Sequence, residues 1–348
     1  YTSGTTGRPK GVLRRARGGA RAGGALVELF GFGPHDRYLP TGPLHHSGPQ
    51  GFLFLAMGAG ASVVVQRRFD AEDWLRIVDR HRVTASFSAP TPIRRITQLP
   101  EDVKARHDRS SMRCLVANAA PWSFALKQAY LADFPSDSLW EVYGSTELGV
   151  CTVLRPEDQL RKPGSCGTAA PGVEVALFDG HGRRITEPGI EGELHVRSGG
   201  VLLGYHGRDD AFADLQLGDG WFGVGDIATM DDEGYFSIRD RKKDMVITGG
   251  VNVYPAMVEA ALDEHPAVRD VAVIGIPSDE WGEAVHAVVV LDTPVTEAEL
   301  VAFAHERLAA YEVPRSFEVV TEIPRTASGK ILKRELRRPW WEGRDRRI

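Results

Sequence analysis

The sequence contains few cysteines and no long hydrophobic run. Three cysteines, Cys114, Cys151 and Cys166, occur among 348 residues, and no two of them form a CxxC pair. This spacing indicates neither a disulfide framework nor a zinc site, and it favours a reducing, cytoplasmic compartment. The longest uncharged apolar stretch, Gly51 to Val65, is too short and too rich in glycine to span a bilayer. The sequence therefore predicts a protein without an integral membrane segment.

Excess charge of one sign is also scarce. The formal net charge is -5, which argues against nucleic acid as the main partner. Charged residues make up 26% and hydrophobic residues 42%, values that are typical of globular proteins and exclude disordered and fibrous classes. Residues 331–348 are an exception, since seven Arg or Lys stand against three Asp or Glu. We expect this basic tail to be a solvated terminal segment.

Length and hydrophobic pattern predict several domains. At about 100–200 residues per domain, the chain corresponds to two or three domains. Up to residue 170, short apolar runs alternate with segments of helical spacing. The pattern predicts strands at Ala61–Val65, Val83–Phe87 and Met112–Ala117, and helices at Ala71–His81 and Ser123–Phe134. Repeated strand–helix units imply a parallel sheet with helices on its faces, and therefore an α/β fold class. The Arg/Gly/Ala-rich stretch Arg14–Gly24 is either a flexible loop or the polar face of a helix.

Two further segments follow in the chain. From about residue 172 to 238, short alternating strands separated by glycine turns predict an antiparallel β subdomain. Beyond it, strands and helices alternate, and a helix is predicted over residues 296–310 because Thr296 and Glu299 form a capping box. We therefore expect a large domain over residues 1–239, which includes the β subdomain, and a small α+β domain over residues 240–348.

The first eleven residues, YTSGTTGRPKG, carry the strongest functional signal. Their glycines permit tight turns, and successive backbone N–H groups in such a loop form a nest that binds phosphate. Hydroxyl groups and the ammonium of Lys10 add further donors. The spacing is not that of a Walker A loop, because Lys10 follows Pro9 and precedes Gly11. The motif predicts a phosphate-binding loop of another kind.

This loop resembles the phosphate-binding signature of the adenylate-forming superfamily, which includes acyl-CoA synthetases, adenylation domains of peptide synthetases and firefly luciferase. Further segments resemble the other motifs of the superfamily in the same order: PLHHSG at 43–48, YGSTE at 143–147, GELHVRSGGVLLGY at 192–205, WFGVGDIA at 221–228, RDRKKDMVITGGVNVYP at 239–255 and PRTASGK at 324–330. On these motifs the sequence is identified as a member. The resemblance implies a layered α/β subdomain, a small β subdomain and a mobile C-terminal α+β domain.

The resemblance also implies a reaction and its cofactors. Members activate a carboxylic acid with ATP and Mg²⁺ to an acyl-adenylate and pyrophosphate, and a thiol such as coenzyme A then captures the acyl group. The phosphate-loop positions of this chain are Thr2, Ser3, Gly4, Thr5, Thr6, Gly7 and Lys10. The ribose-binding positions are Asp226 and Arg241. The YGSTE motif supplies Tyr143, Gly144 and Thr146 for adenine and phosphate, and it supplies Glu147, together with Thr6, for Mg²⁺.

The same resemblance assigns the remaining positions. Lys330, at the end of PRTASGK, is the catalytic lysine that bridges the attacking carboxylate and the α-phosphate. Lys243 is the pivot of the hinge, and the loop of Gly249 and Gly250 lines the thiol tunnel. His46 lines the acyl pocket, and a purely structural histidine is the alternative. The segment Asn118, Ala119 and Ala120 borders this pocket, with asparagine in place of the usual glycine.

The first functional hypothesis is an acyl-CoA synthetase. The apolar residues after His46, which are Phe52, Leu53 and Phe54, favour a medium- or long-chain fatty, aryl or steroid-like acid. One alternative is a peptide-synthetase adenylation domain, which would need a carrier module downstream. The other is a truncated, non-catalytic nucleotide-binding protein. It stays open because superfamily members carry a domain-sized stretch before the first motif, so we expect the N-terminal portion of the large domain to be missing. The sequence predicts no oligomeric state.

Overall fold

The computed structural model describes residues 10–14, 16–120, 122–207, 212–326 and 329–343. The chain divides into two compact units. The large unit comprises Tyr1–Val224 and Ala228–Ile238, and the small unit comprises Gly225–Ile227 and Arg239–Ile348. The predicted phosphate-binding residues Thr2, Ser3, Gly4, Thr5, Thr6 and Gly7 lie outside the described residues, as do residues 327 and 328 of PRTASGK.

Strands and helices alternate in the first part of the chain, and strands dominate after residue 138. Over the described residues, the strands are β1 (Val12–Leu13), β2 (Arg37–Pro40), β3 (Ser62–Val63), β4 (Ala85–Ser88), β5 (Cys114–Ala117), β6 (Leu139–Ser145), β7 (Gly149–Leu154), β8 (Thr168–Ala169), β9 (Val173–Phe178), β10 (Arg184–Ile185), β11 (Gly192–Ser198), β12 (Gly204–Tyr205), β13 (Gln216–Gly218), β14 (Trp221–Met230), β15 (Phe236–Arg241), β16 (Val246–Thr248), β17 (Val251–Val253), β18 (Val268–Ser278), β19 (Gly282–Leu291) and β20 (Ser316–Val319). The helices are α1 (Ala16–Phe30), α2 (Ser47–Gly58), α3 (Ala71–His81), α4 (Pro90–Thr97), α5 (Glu101–Lys104), α6 (Phe124–Asp133), α7 (Pro255–Asp263), α8 (Glu297–His305) and α9 (Lys333–Trp341), with a 3₁₀ turn at Pro156–Asp158.

A mixed sheet organises the first part of the large unit. Counted over the described residues, it has seven strands in the order β3-β2-β4-β5-β6-β7-β8. The pairings from β3 through β6 are parallel, which confirms the predicted strand–helix units, whereas β7 and β8 are antiparallel. Only residues 146–148 join β6 to β7, and a parallel crossover needs a dozen or more residues. The chain therefore turns back on itself directly after the YGS of YGSTE.

Helices cover both faces of this sheet. Successive side chains of a strand point to opposite faces, so β5 separates two apolar clusters. Leu115 and Ala117 pack in one cluster with residues of α3, α4 and α6, whereas Cys114 and Val116 pack in the other with Phe30 of α1 and residues of α2. The sheet is thus buried on both sides, as in other α/β layers. The predicted α/β fold class is confirmed.

Local signals explain which predicted helices are correct. Helix α3 spans the predicted residues, because the Asp70 side chain caps it by accepting a hydrogen bond from the backbone N–H of Asp73 at 2.9 Å. The stretch Arg14–Gly24, which the sequence left open, lies mostly in α1. The start of the apolar run from Gly51 belongs to α2, which the sequence pattern did not predict.

A second sheet completes the large unit. In the described ranges its strands follow the order β10-β9-β11-β14-β13, and β15 also pairs with β14. The pairs β9–β10, β9–β11 and β13–β14 are antiparallel, as predicted for the β subdomain. Apolar side chains of several of these strands form one buried cluster around Leu194 and Val196. The division between the two units falls within β14 and β15, so that Gly225–Ile227 and Arg239 onwards belong to the small unit.

The small unit has its own sheet and its own core. Its described strands follow the order β17-β16-β19-β18, and β20 joins β19 in parallel. Helices α7 and α8 cover an apolar cluster that includes Val258, Val273 and Leu300. The predicted capping box at Thr296 and Glu299 is present, but α8 ends at His305 rather than at residue 310.

The prediction that the basic tail is solvated is wrong for Lys333 and Arg337, whereas the other basic residues of this segment are exposed. Residues 333–341 form α9, which is held by Lys333 Nζ to Glu259 Oε1 at 2.8 Å and by Arg337 Nη2 to Asp244 Oδ1 at 2.8 Å. Burial alone would lower the pKa of Lys333, but the neighbouring carboxylates outweigh this effect and raise it. Lys333 and Arg337 are thus counterions for largely buried acids, a role that local composition does not reveal. None of the helices in the described ranges is long and apolar enough to cross a membrane.

Candidate active site

The YGSTE motif forms a tight turn between β6 and β7. The Ser145 hydroxyl accepts a hydrogen bond from the backbone N–H of Leu148 at 3.1 Å, which closes the turn. At Gly144 the two strands approach so closely that a Cβ atom would lie 2.1 Å from the carbonyl oxygen of Gly149. Only glycine fits there, because any side chain would clash with this backbone. The turn therefore presents Thr146 and Glu147 at a fixed position at the end of the parallel strands.

A short ribbon brings Lys10 and Tyr205 to this turn. Strands β1 and β12 pair antiparallel, with Val12 opposite Tyr205. The Tyr205 hydroxyl donates a hydrogen bond to Glu147 Oε1 at 2.9 Å, and Lys10 Nζ lies 5.0 Å from the centroid of the Tyr205 ring. An ammonium at this distance is attracted to the face of the ring. The predicted phosphate-loop lysine and the predicted metal carboxylate are thus brought together through one tyrosine.

Arg14 and Ser47, which were not predicted as site residues, also contact this turn. The Arg14 guanidinium donates to the carbonyl oxygen of Thr146 and, at 3.2 Å, to that of Gly200. The hydroxyls of Ser47 and Thr146 lie 2.7 Å apart. Burial lowers the pKa of Arg14, and the charge of Glu147 opposes this effect. Sequence reasoning missed Arg14, Ser47 and Tyr205 as site residues, although Ser47 and Tyr205 lie within the motifs PLHHSG and GELHVRSGGVLLGY.

Glu147 fits the Mg²⁺ ligand that the resemblance implies. Burial, followed by the charge of Glu147, raises the pKa of Tyr205, so that its hydroxyl remains a donor to this carboxylate. Mg²⁺ in proteins is commonly bound through one or two carboxylates together with substrate phosphates. A single carboxylate whose orientation is held by a tyrosine matches this pattern. Thr6, the other predicted ligand, lies outside the described residues.

His46 and the segment from Asn118 make contacts within the fold. His46 is the N-cap of α2, and its Nδ1 accepts a hydrogen bond from the backbone N–H of Gly48 at 3.4 Å. The Asn118 amide donates to the carbonyl oxygen of Val142 at 2.5 Å, next to Tyr143 at the end of β6. Ala119 has a φ of 75°, which is uncommon for a residue other than glycine. These contacts support a structural role for His46 and Asn118, and their predicted roles at the acyl pocket stay predictions, as does that of Ala120.

The predicted ribose pair lies in the small unit. Asp226 on β14 is 4% exposed, and its Oδ1 lies 3.3 Å from Arg241 Nε on β15. The backbone N–H of Lys242 donates to the carbonyl oxygen of Gly225 at 2.7 Å, which holds the two strands together at this point. A carboxylate can accept from two vicinal hydroxyls, and a guanidinium donates in a rigid fork. This pair therefore has the chemistry that a ribose requires.

The other predicted small-unit residues lie near turns. Burial, with the charge of Arg241 next in importance, lowers the pKa of Lys243. Gly249 and Gly250 form the two-residue turn between β16 and β17, with φ values of 57° and 81°. The carbonyl oxygen of Lys330 accepts a hydrogen bond from the backbone N–H of Thr326 at 2.8 Å. Their roles in the reaction stay predictions.

The fold and these groups of residues are those of the adenylate-forming class of enzymes. Residues 1–206 match the family model described as AMP-binding enzyme, and residues 257–330 match that of the AMP-binding enzyme C-terminal domain. The chain therefore belongs to the AMP-binding enzyme family, and within it to the AMP-forming acyl-CoA synthetases of the adenylate-forming superfamily.

Named relatives support this placement. The chain is 40% identical over 344 residues to a feruloyl-CoA synthase of Amycolatopsis, covering 97% of this chain and 68% of that enzyme. It is 36% identical over 340 residues to the 2-succinylbenzoate–CoA ligase of Bacillus licheniformis, covering 97% and 68%. The structure of the Bacillus subtilis O-succinylbenzoate coenzyme A synthetase with ATP and magnesium superimposes with a TM-score of 0.86 at 32% identity, covering 97% and 68%. The chain thus spans about two thirds of the length of these relatives.

Proposed function

We propose that the protein joins a carboxylic acid to coenzyme A at the expense of ATP. In the first half-reaction a carboxylate oxygen bonds to the α-phosphorus of ATP as the bond from that phosphorus to pyrophosphate breaks. In the second, the sulfur of coenzyme A bonds to the acyl carbon, the bond to AMP breaks and the thiol proton is released. The arrangement of Lys10, Tyr205 and Glu147 carries this proposal, because one tyrosine contacts a cation through its ring and a carboxylate through its hydroxyl, and these are the groups that phosphate and Mg²⁺ require.

The residues of this chain would supply position and fixed charge. Attack on a phosphate develops charge on its oxygens, and such steps are accelerated mainly by preorganised positive groups. Lys10 would face the phosphates beside the Mg²⁺ held by Glu147, and Asp226 with Arg241 would hold the ribose hydroxyls. Lys330 would neutralise charge between the attacking carboxylate and the α-phosphate. A lysine suits this task because it is a compact cation on a long stem.

For the substrate, we propose an aryl or otherwise bulky acid, with medium- and long-chain fatty acids as further candidates. The support comes from relatives whose names specify feruloyl and 2-succinylbenzoate groups. The apolar residues cited from the sequence give less support. Phe52 and Leu53 belong to the core, where the Phe52 ring lies 5.6 Å from that of Phe30 and 5.4 Å from that of Phe87. Phe54 is 60% exposed on α2. Helical periodicity thus places two of the three side chains in the core of the large unit.

Acid-dependent exchange of pyrophosphate into ATP tests the function. The protein produced from its natural gene is assayed with a panel of aryl, fatty and bile acids and with acetate, and thioester formation is then followed with coenzyme A. We expect exchange that depends on a bulky acid, followed by transfer to coenzyme A. Comparable turnover of acetate would contradict the substrate class. ATP binding without any exchange would instead indicate the non-catalytic alternative.

Removal of the Tyr205 hydroxyl tests the metal site. We expect Tyr205→Phe to raise the Mg²⁺ concentration needed for half-maximal exchange by about tenfold, because a hydrogen bond to a charged group contributes about 1.5–3 kcal/mol. The matched control is Tyr235→Phe, since the Tyr235 hydroxyl donates to a different carboxylate, that of Asp158, at 2.8 Å. If both variants raised the Mg²⁺ requirement equally, the proposal that Glu147 binds Mg²⁺ would be contradicted.

A further inference from the structure

Hydrogen bonds link the residues on the two sides of Lys330 to each other. Arg325 and Ile331 face each other in an antiparallel bridge, and the backbone N–H of Leu332 donates to the carbonyl oxygen of Pro324 at 2.9 Å. The backbone N–H of Lys330 donates to the hydroxyl of Thr326 at 3.1 Å. These bonds pair the residues before position 327 with Lys330 and the residues that follow it. Ile331 also packs against the apolar cluster of Ala272 and Val288, on β18 and β19.

Arg325 adds a polar connection between this segment and the sheet. Its Nη1 donates to the carbonyl oxygen of Gly329, the residue before Lys330, at 2.6 Å. Its Nη2 donates to Oδ1 of Asp270, on β18, at 2.6 Å. The Asp270 carboxylate is itself oriented, because the same oxygen accepts from the backbone N–H of Val271 at 3.0 Å. One guanidinium therefore joins the peptide next to Lys330 to a strand of the sheet.

The chemistry of this contact requires arginine. The guanidinium is planar and presents its donors in a fixed fork, so that it can hold two acceptors at a defined separation. A lysine at the same position would offer one ammonium on a flexible stem, and it would satisfy one acceptor at the expense of the other. The side chains of Arg325 and Asp270 are 26% and 30% exposed, so this pair is less screened by solvent than one on an open surface.

We propose that Arg325, anchored by Asp270, is a positioning residue for Lys330. It fixes the backbone from which the lysine side chain extends, and so it limits the positions that the ammonium can reach. This inference rests on the proposed function, in which Lys330 acts during adenylate formation. A misplacement of about 1 Å by a change away from the reacting atoms can cost 10²-fold in rate. The effect should therefore appear in the rate of the first half-reaction rather than in ATP binding.

Arg325→Lys is the decisive variant, and Arg269→Lys is its matched control. Arg269 neighbours Asp270 on β18, and its guanidinium pairs with Asp292 at 3.3 Å and with the carbonyl oxygen of Thr321 at 3.3 Å. We expect Arg325→Lys to lower kcat for acid-dependent exchange by about 10- to 100-fold. The KM for ATP should stay within about twofold, as should acyl transfer from supplied acyl-adenylate to coenzyme A. Arg269→Lys should leave all three quantities unchanged.

Two further variants distinguish positioning from general stability. Asp270→Asn keeps the shape and one acceptor oxygen, so its kcat should fall less than that of Arg325→Lys. In a Lys330→Ala background, Arg325→Lys should add no further loss, because residues that act as a unit are non-additive.

Each remaining outcome has one meaning. Equal losses in both half-reactions, or an additive loss in the Lys330→Ala background, would overturn the positioning role. So would an unchanged kcat in Arg325→Lys. Absence of acid-dependent exchange from the unaltered protein would overturn the proposed function, and this inference with it. Exchange by the unaltered protein with no effect of the variants would overturn this inference alone.

Discussion

Replacement of Lys330 by alanine is expected to reduce acid-dependent pyrophosphate exchange to a small residual rate while sparing the transfer of a supplied acyl-adenylate to coenzyme A. The lysine contributes fixed positive charge where the α-phosphate gains negative charge, and removal of one such group costs at least about 10²–10³-fold in rate. The second half-reaction breaks a bond to AMP and has no need of this cation in our proposal. The measurement is a pair of assays, exchange with labelled pyrophosphate and thioester formation from synthetic acyl-adenylate.

The matched control for Lys330→Ala is Arg338→Ala. Arg338 is an exposed cation of α9 in the same unit, so its removal reproduces the change in net charge without touching the turn at Lys330. Exchange by this control should stay within about twofold of the unaltered protein, because the effect of exposed charges is small. If Lys330→Ala slowed both half-reactions in proportion, the lysine would serve both steps. The mobile C-terminal domain that the resemblance implies, with Lys243 as its hinge, would then not serve to withdraw Lys330 from the second half-reaction.

The second large effect is expected at the turn of Gly249 and Gly250. The resemblance places this turn along the path of the thiol, and both residues have positive φ values. Gly250→Leu should slow acyl transfer to coenzyme A by at least about 10²-fold, since a misplaced thiol loses most of the advantage of proximity. Adenylate formation should stay within about twofold. A leucine with a φ of 81° is also strained by about 1–2 kcal/mol, so a small fall in melting temperature should accompany the change.

Gly250→Asn is the milder control, because it reduces both side-chain bulk and backbone strain relative to leucine. Asparagine tolerates the left-handed conformation better than leucine does, and its side chain is smaller. A Cβ at this position would meet no heavy atom within 4 Å, so the cost of the substitution comes from the positive φ and not from a clash of the Cβ. We expect Gly250→Asn to retain most of the thiol step. Loss of adenylate formation in Gly250→Leu, in parallel with the thiol step, would instead assign the turn to folding.

Several elements could be predicted because their causes are local. The apolar spacing of α3 and the cap at Asp70 lie within twelve residues of each other, and so do Thr296 and Glu299 at the start of α8. The repeated strand–helix units likewise predicted the parallel part of the first sheet. Motifs such as YGSTE and PRTASGK supported the family assignment directly, because each is a contiguous string with a recognisable order along the chain.

Other features depend on contacts between distant residues, which no local pattern contains. The basic tail read as solvated because its charges have no partner nearby in sequence, whereas α9 pairs with Glu259 and with Asp244, 74 and 93 residues away. Phe52 and Phe54 look alike in the sequence, yet the sheet buries one and leaves the other exposed.

The candidate site shows the same division most clearly. The sequence was sufficient to name Lys10 and Glu147, since each stands in a motif whose residue types have a chemical purpose. It was not sufficient to join them, because Tyr205 reaches both only after β12 has paired with β1 and its hydroxyl has met Glu147 across 58 residues of chain. Local sequence specifies which groups are available, and chain folding sets the distances between them, on which charge stabilisation and hydrogen bonding depend.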